Sequence, residues 1–166
     1  MSRLTDWTVD LASNGEEFDA ITRLTDTASE FPRIDDRFAG VKTRYGWGLE
    51  MDMARPVELK GGSAGGFMMN CLFLKDLETG AEQHWWCGPV SSLQEPCFIP
   101  RSKDAPEGDG WIVQVCNLVD AGQTDLLLFD ALEIEKGPIA TIRVPIQLRF
   151  GLHGNFAPSA ELGLAA

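Results

Sequence analysis

Imidazole titrates near neutrality and binds transition metals, so the two histidines are the first residues to weigh for chemistry. His153 stands in the run Gly151-Leu152-His153-Gly154, where the flanking glycines let the backbone turn sharply or approach another group closely. A histidine in such a loop suits a metal ligand or an acid/base, and spacing alone does not separate these from a structural place. His84 lies in Glu82-Gln83-His84-Trp85-Trp86-Cys87 with no second imidazole near it in sequence, and reads as part of a packed sheet face. Glu30 and Glu95 each stand beside a proline step, in Glu30-Phe31-Pro32-Arg33 and Glu95-Pro96-Cys97-Phe98. A carboxylate buried there would need a partner; the plainer alternative is a charge at a strand edge. Cys71, Cys87, Cys97 and Cys116 form no CxxC pair and read as free thiols, three of them in apolar or aromatic runs. The glycine run Gly61-Gly62-Ser63-Ala64-Gly65-Gly66 precedes an apolar stretch rather than Lys-Ser/Thr and a helix, so it reads as a flexible loop, not a phosphate cradle. No HExxH motif and no nucleophile–base set can be argued.

The elements that must position these residues are short and mostly extended. Trp7–Leu11 alternates as a half-buried strand, and Gly15–Thr25 is mixed and polar, fit for a helical turn or a loop. Ser29–Ile34 is brief, and Pro32 argues against a central strand there. Val41–Asp52 is rich in aromatic and branched residues, with Gly46 and Gly48 marking a bulge or close backbone approach. Phe67–Leu77 and Gln83–Gly88 form a hairpin through Glu78-Thr79-Gly80. Glu95–Arg101, Trp111–Val119, Leu126–Leu132 and Ile139–Val144 continue the train of strands, with a turn at Asp120–Gln123 and an irregular tail from Gly151. The pattern predicts an all-β fold: a sandwich, a barrel or a slice of a propeller. No fixed-period repeat marks one of these out.

Composition agrees. The 166 residues are 44% hydrophobic, enough for one domain with a real core, and 17 Gly and 9 Pro imply many turns. A formal net charge of -11 disfavours nucleic acid and anionic membrane surfaces as partners. No apolar run reaches membrane-spanning length, and the opening Met-Ser-Arg-Leu-Thr-Asp lacks a signal pattern, so a reducing, cytoplasmic setting is expected. Trp47, Trp85, Trp86 and Trp111 are expected in the aromatic core, with a ligand-binding surface as the alternative.

Five segments then stand in an order that resembles one family: Glu30-Phe-Pro-Arg-Ile, Glu95-Pro-Cys-Phe-Ile-Pro-Arg101, Gly108-Asp-Gly-Trp, Leu128-Phe-Asp-Ala131 and Val144-Pro followed by Gly151-Leu-His153-Gly154. The carotenoid oxygenase family, which includes carotenoid cleavage dioxygenases, the retinal pigment epithelium isomerase and bacterial lignostilbene dioxygenases, carries this ordered set. The resemblance runs from about Trp7 to Pro158. It implies the C-terminal blades of a seven-bladed β-propeller, with residues 1–166 as one C-terminal portion of that domain. It also implies Fe(2+) held by four histidines, three of which are hydrogen-bonded by glutamates. On this resemblance His153 matches the last histidine ligand, and Glu30 and Glu95 match two of the glutamates. Leu152, beside the ligand, is a candidate pocket residue. His84 matches none of the other ligands, and Phe156 stands where the family often has Trp.

The implied activity is oxidative cleavage of an alkene double bond by O₂ into two carbonyl products, with a hydrophobic or phenolic, lignostilbene-like alkene as substrate. The first three histidine ligands, the third glutamate and the earlier blades have no counterpart here. The chain alone is therefore expected to be inactive and to associate with a complementary N-terminal fragment or with further copies of itself. The alternatives are a non-catalytic β-module that binds a hydrophobic ligand or protein, and a truncated product without function.

Overall fold

The computed structural model describes residues 2–58, 68–159 and 161–163, so the glycine run at 61–66 lies outside the described residues. Eleven strands and three short 3₁₀ turns make up the regular structure among the described residues. No helix among them is long and apolar enough to cross a membrane.

Two antiparallel meanders carry the fold. The first is a four-stranded sheet of β3 (Ser29–Arg33), β4 (Tyr45–Glu50), β5 (Cys71–Asp76) and β6 (Glu82–Trp86), in that order. In the second, β9 (Gly110–Leu118) pairs with β10 (Gln123–Asp130), which pairs with β11 (Ala140–Val144). On its other side β9 takes two short strands, β7 (Ser91–Leu93) and β8 (Cys97–Pro100). A two-stranded ribbon of β1 (Thr5–Thr8) and β2 (Ala20–Arg23) forms a third sheet, tied to β3 through the Ser29 N–H donating to Ser2 O at 3.1 Å and the Leu4 N–H donating to Ser29 Oγ at 2.9 Å. Antiparallel up-and-down sheets packed face to face, here of four and five strands, are the arrangement of β-propeller blades, within the all-β class expected from the sequence.

Burial shows why the sheets stack. In β4 and β5 successive residues are buried (Trp47 to Glu50, Cys71 to Leu74), as in strands covered on both faces. Trp47, fully buried, stacks on Phe98 of β8 with ring centroids 5.0 Å apart, and its indole N–H donates to Ala131 O at 2.8 Å. Trp85 of β6 meets Phe129 of β10 edge-on at 4.9 Å. Leu49, Leu72, Leu74, Ile112, Leu127 and Ile134 fill the same core.

Several expectations shift. Gly15–Thr25 contains β2, because Ile21 and Thr22 pair with Trp7 and Asp6 across the ribbon, a long-range contact that local polarity hides. The first strand is displaced toward the N-terminus, to Thr5–Thr8. Ser91–Leu93 was not expected as a strand; it is too short to show alternation, yet all three residues are buried against β9. The expected hairpin is present, with Gly80 at φ 77° and the Asp76 carboxylate accepting from the N–H groups of Glu78 and Thr79. Gly48 allows the expected close approach, since a Cβ there would lie 2.6 Å from the Phe73 ring.

Candidate functional site

The irregular tail is held across the second sheet by several side chains, among them the adjacent Gln94 and Glu95. Gln94 and Glu95 link β7 to β8, where the Gln94 N–H donates to Val115 O at 3.1 Å and Pro96 is fully buried. The Gln94 side chain donates to Arg149 O at 3.1 Å and accepts from the Gly151 N–H at 3.0 Å. Thr124 Oγ1 takes the Leu148 N–H at 3.0 Å. These bonds replace a strand ladder and deliver His153 to the next residue, Glu95.

Glu95 has a side chain only 7% exposed, and three groups compensate its charge. His153 Nδ1 lies 3.3 Å from Oε1, the Gly154 N–H donates to Oε2 at 2.9 Å, and Arg33 Nη1 lies 3.6 Å from Oε2. These groups offset the cost of burying the carboxylate. The His153 side chain is 77% exposed, with its Nδ1 turned to the buried carboxylate. Such backing fixes a ring's orientation, the arrangement found behind metal-bound histidines.

Phe31 completes this corner. Its ring meets the His153 ring edge-on at 6.0 Å. It also has φ 54°, a left-handed conformation unusual for a bulky residue, at a break in the register of β3 and β4 between Glu30 and Arg33. The break brings Phe31 to His153 and Arg33 to Glu95, while the Arg33 guanidinium also donates to Gly154 O at 3.4 Å. Sequence reading missed both roles, because a β-bulge leaves no mark in alternation; Pro32 is its only local sign.

Glu30 is placed elsewhere. It is exposed on β3, the edge strand of its sheet, and accepts a hydrogen bond from the Ser2 hydroxyl. It lines a cleft of about 290 Å³ with Arg3, Leu4, Trp7 and Phe73. The structure thus joins His153 to Glu95 and does not join it to Glu30. Leu152 is 69% exposed beside His153.

A second polar cluster lies on the first sheet. His84 Nδ1 is 3.0 Å from Glu50 Oε2 and its Nε2 is 3.3 Å from Glu82 Oε2. Hydrogen bonds with Cys71 and with Glu50 push the His84 pKa up to about 10. His84 therefore sits in a strand, as expected, but its side chain joins a charged cluster rather than an apolar face. All four cysteines are free, with Cys71 and Cys116 buried and Cys87 and Cys97 partly so.

A family model described as Retinal pigment epithelial membrane protein matches residues 1–158. Lignostilbene-alpha,beta-dioxygenase isozyme III of Sphingomonas paucimobilis is 48% identical over 160 residues, spanning 96% of this chain and 33% of that protein. An isoeugenol monooxygenase of Pseudomonas nitroreducens is 39% identical over 94% of this chain and 32% of its own length. Among solved structures, a Pseudomonas brassicacearum lignostilbene dioxygenase superposes with a TM-score of 0.87 at 40% identity, covering 94% of this chain and 32% of that one. A Synechocystis apocarotenoid oxygenase gives 0.70 at 25% identity, covering 83% of this chain and 27% of that one. The chain spans about a third of the length of the curated relatives it matches.

Proposed function

The chain belongs to the family of the Retinal pigment epithelial membrane protein, and from that membership we propose that it forms the C-terminal blades of an Fe(2+)-dependent oxygenase that cleaves an alkene double bond into two carbonyl compounds. The observation that carries the proposal is the pairing of an exposed His153 with a buried Glu95. A neutral imidazole nitrogen suits Fe(2+), and a carboxylate on the opposite ring nitrogen is the usual support for such a ligand. The donor set fits one ligand of a four-histidine site. Iron bound there supplies the activation of O₂ needed to split the double bond.

The chain's own share is positional. Glu95 holds the Nδ1 side of the His153 ring, Arg33 and the Gly154 N–H hold Glu95, and Phe31 restricts the ring from its edge. Glu30 is proposed to support a second histidine from outside this chain; its place on an exposed edge, away from His153, is compatible with that role. Leu152, exposed beside the ligand, is proposed to meet substrate. A phenolic alkene is the favoured substrate class, since relatives bear the names lignostilbene dioxygenase, isoeugenol monooxygenase and resveratrol cleavage oxygenase. Four free thiols suit a reducing, cytoplasmic setting.

One histidine does not make a competitive iron site. The test therefore supplies the upstream two thirds of a lignostilbene dioxygenase in trans, under anaerobic ferrous iron, and then admits O₂ and a hydroxystilbene. Iron retained through gel filtration and aldehyde formation are both expected, and both should be lost with His153→Ala. Iron and aldehyde yields unchanged in the His153→Ala protein would sink the assignment.

A further inference from the structure

Glu50, Cys71 and His84 lie far apart in sequence but share one face of the first sheet. Glu50 is the register partner of Cys71, which pairs with Trp86, two residues beyond His84. Cross-strand and diagonal neighbours on one face are within side-chain reach, and one ligand atom from each of the three lies within 4.8 Å of the others.

Three features make this a built site rather than a chance ion pair. Glu50 and Cys71 are buried, while His84 is exposed. The Glu50 carboxylate is oriented from behind, with Oε1 accepting from the Thr27 hydroxyl and Oε2 turned to His84 Nδ1. His84 Nε2 is engaged by Glu82, which leaves Nδ1 as the nitrogen facing the cluster. A carboxylate on the far ring nitrogen is the support that metal-bound histidines commonly receive. The cluster opens on a cleft of about 510 Å³ whose rim includes Thr27, Met51, Asp52 and Arg55, so a further position is open to water or a small ligand.

We propose that Glu50, Cys71 and His84 bind a divalent transition-metal cation, with zinc the best match to one thiolate, one imidazole and one carboxylate. That mixture suits zinc, which takes sulfur, nitrogen and oxygen donors in tetrahedral geometry without preference from its d-electrons. Magnesium and calcium are disfavoured, because they select all-oxygen shells. The site uses none of the residues assigned to the iron centre, so it stands whether or not that assignment does.

Cobalt(II) is the probe of choice, since a cobalt–thiolate bond gives an ultraviolet charge-transfer band and tetrahedral cobalt a strong visible spectrum. The purified protein is expected to take up one equivalent of cobalt with both signatures, and zinc is expected to displace it. Cys71→Ser should abolish the charge-transfer band, His84→Asn should abolish the tetrahedral spectrum, and Glu82→Gln should weaken zinc binding about tenfold. His153→Ala should leave all of these unchanged. If Cys71→Ser fails to fold, the exposed His84→Asn decides the matter with folding checked by circular dichroism. No charge-transfer band in the wild-type protein, or a spectrum that persists in folded His84→Asn, would overturn the proposal and leave the cluster as an ion pair.

Discussion

Glu95 touches both the side chain and the backbone of the histidine loop, and these two contacts separate by experiment. Glu95→Gln keeps the volume and an acceptor oxygen, whereas Glu95→Ala leaves the Gly154 N–H without its 2.9 Å partner. Amide exchange at Gly154 is expected to accelerate in Glu95→Ala and much less in Glu95→Gln, with the amides of β9 unchanged in both. In the trans-completed protein, either substitution should weaken iron by about 10- to 100-fold, the usual cost of losing a partner behind a metal ligand. Equal exchange at Gly154 in wild type and Glu95→Ala would mean that Gln94, Thr124 and Arg33, rather than Glu95, hold the tail. At this scale the sequence was legible only in part. His153 and Glu95 stood out because glycines and a proline step flank them, and the family resemblance gave each a role without pairing them; the contact between them is a finding of the structure. Arg33 and Phe31 did not, since their roles follow from a register break that no local pattern records. The Glu50, Cys71 and His84 cluster was hidden for the same reason: it depends on the register of three strands.

At the scale of elements, strands were readable wherever alternation or turn chemistry was strong. The β5–β6 hairpin was announced by Glu78-Thr79-Gly80, and β9 by its apolar run, while β2 and β7 were too short and too dependent on distant partners to show. The hairpin carries a pH dependence of known sign. Arg44 donates to the Asp76 carboxylate at 2.8 Å, and with the turn N–H groups holds it well below the usual carboxylate range. A carboxyl with a depressed folded-state pKa contributes stability above its unfolded pKa and loses it as pH falls through the folded value. Acid should therefore destabilise the wild-type hairpin below the usual carboxylate range, and Asp76→Asn should be less stable at neutral pH but flatter in that acid limb. Urea midpoints across the pH range check this; parallel curves for the two proteins would remove Asp76 as the cause. Packing between elements gives a sharper test. A Cβ on Gly110 would lie 2.3 Å from Ile99 O and 2.7 Å from the Phe98 ring, so β8 and β9 must part to admit it. Gly110→Ala is expected to cost about 3 kcal/mol, the upper end for an overpacked core, because a backbone carbonyl gives way less easily than a side chain. An unchanged urea midpoint would contradict the close pairing.

At the scale of the whole molecule, two stacked sheets share one core but leave edges uncovered. β11 ends its sheet, and Ile142 on it is 59% exposed, as are Ile139 and Ile146 on either side, at 61% and 63%. On the separate ribbon Trp7 and Ile21 are 56% and 62% exposed. Apolar side chains on an unpaired strand edge favour pairing with another chain. In a propeller such positions meet neighbouring blades, and this chain spans only about a third of its relatives. The sequence showed strands with apolar residues but not which of them would lie at an edge, because edge and centre differ only in what pairs with them. A polypeptide of these 166 residues alone is therefore expected to self-associate with rising concentration in sedimentation velocity, a contact that further blades should suppress by occupying the same surfaces. Ile142→Lys with Ile146→Lys should reduce the association without lowering the urea midpoint, since both side chains are already in solvent. Association undiminished by these charges would place the contact elsewhere, on the ribbon carrying Trp7 and Ile21, and Ile21→Lys would then be the substitution that disperses it.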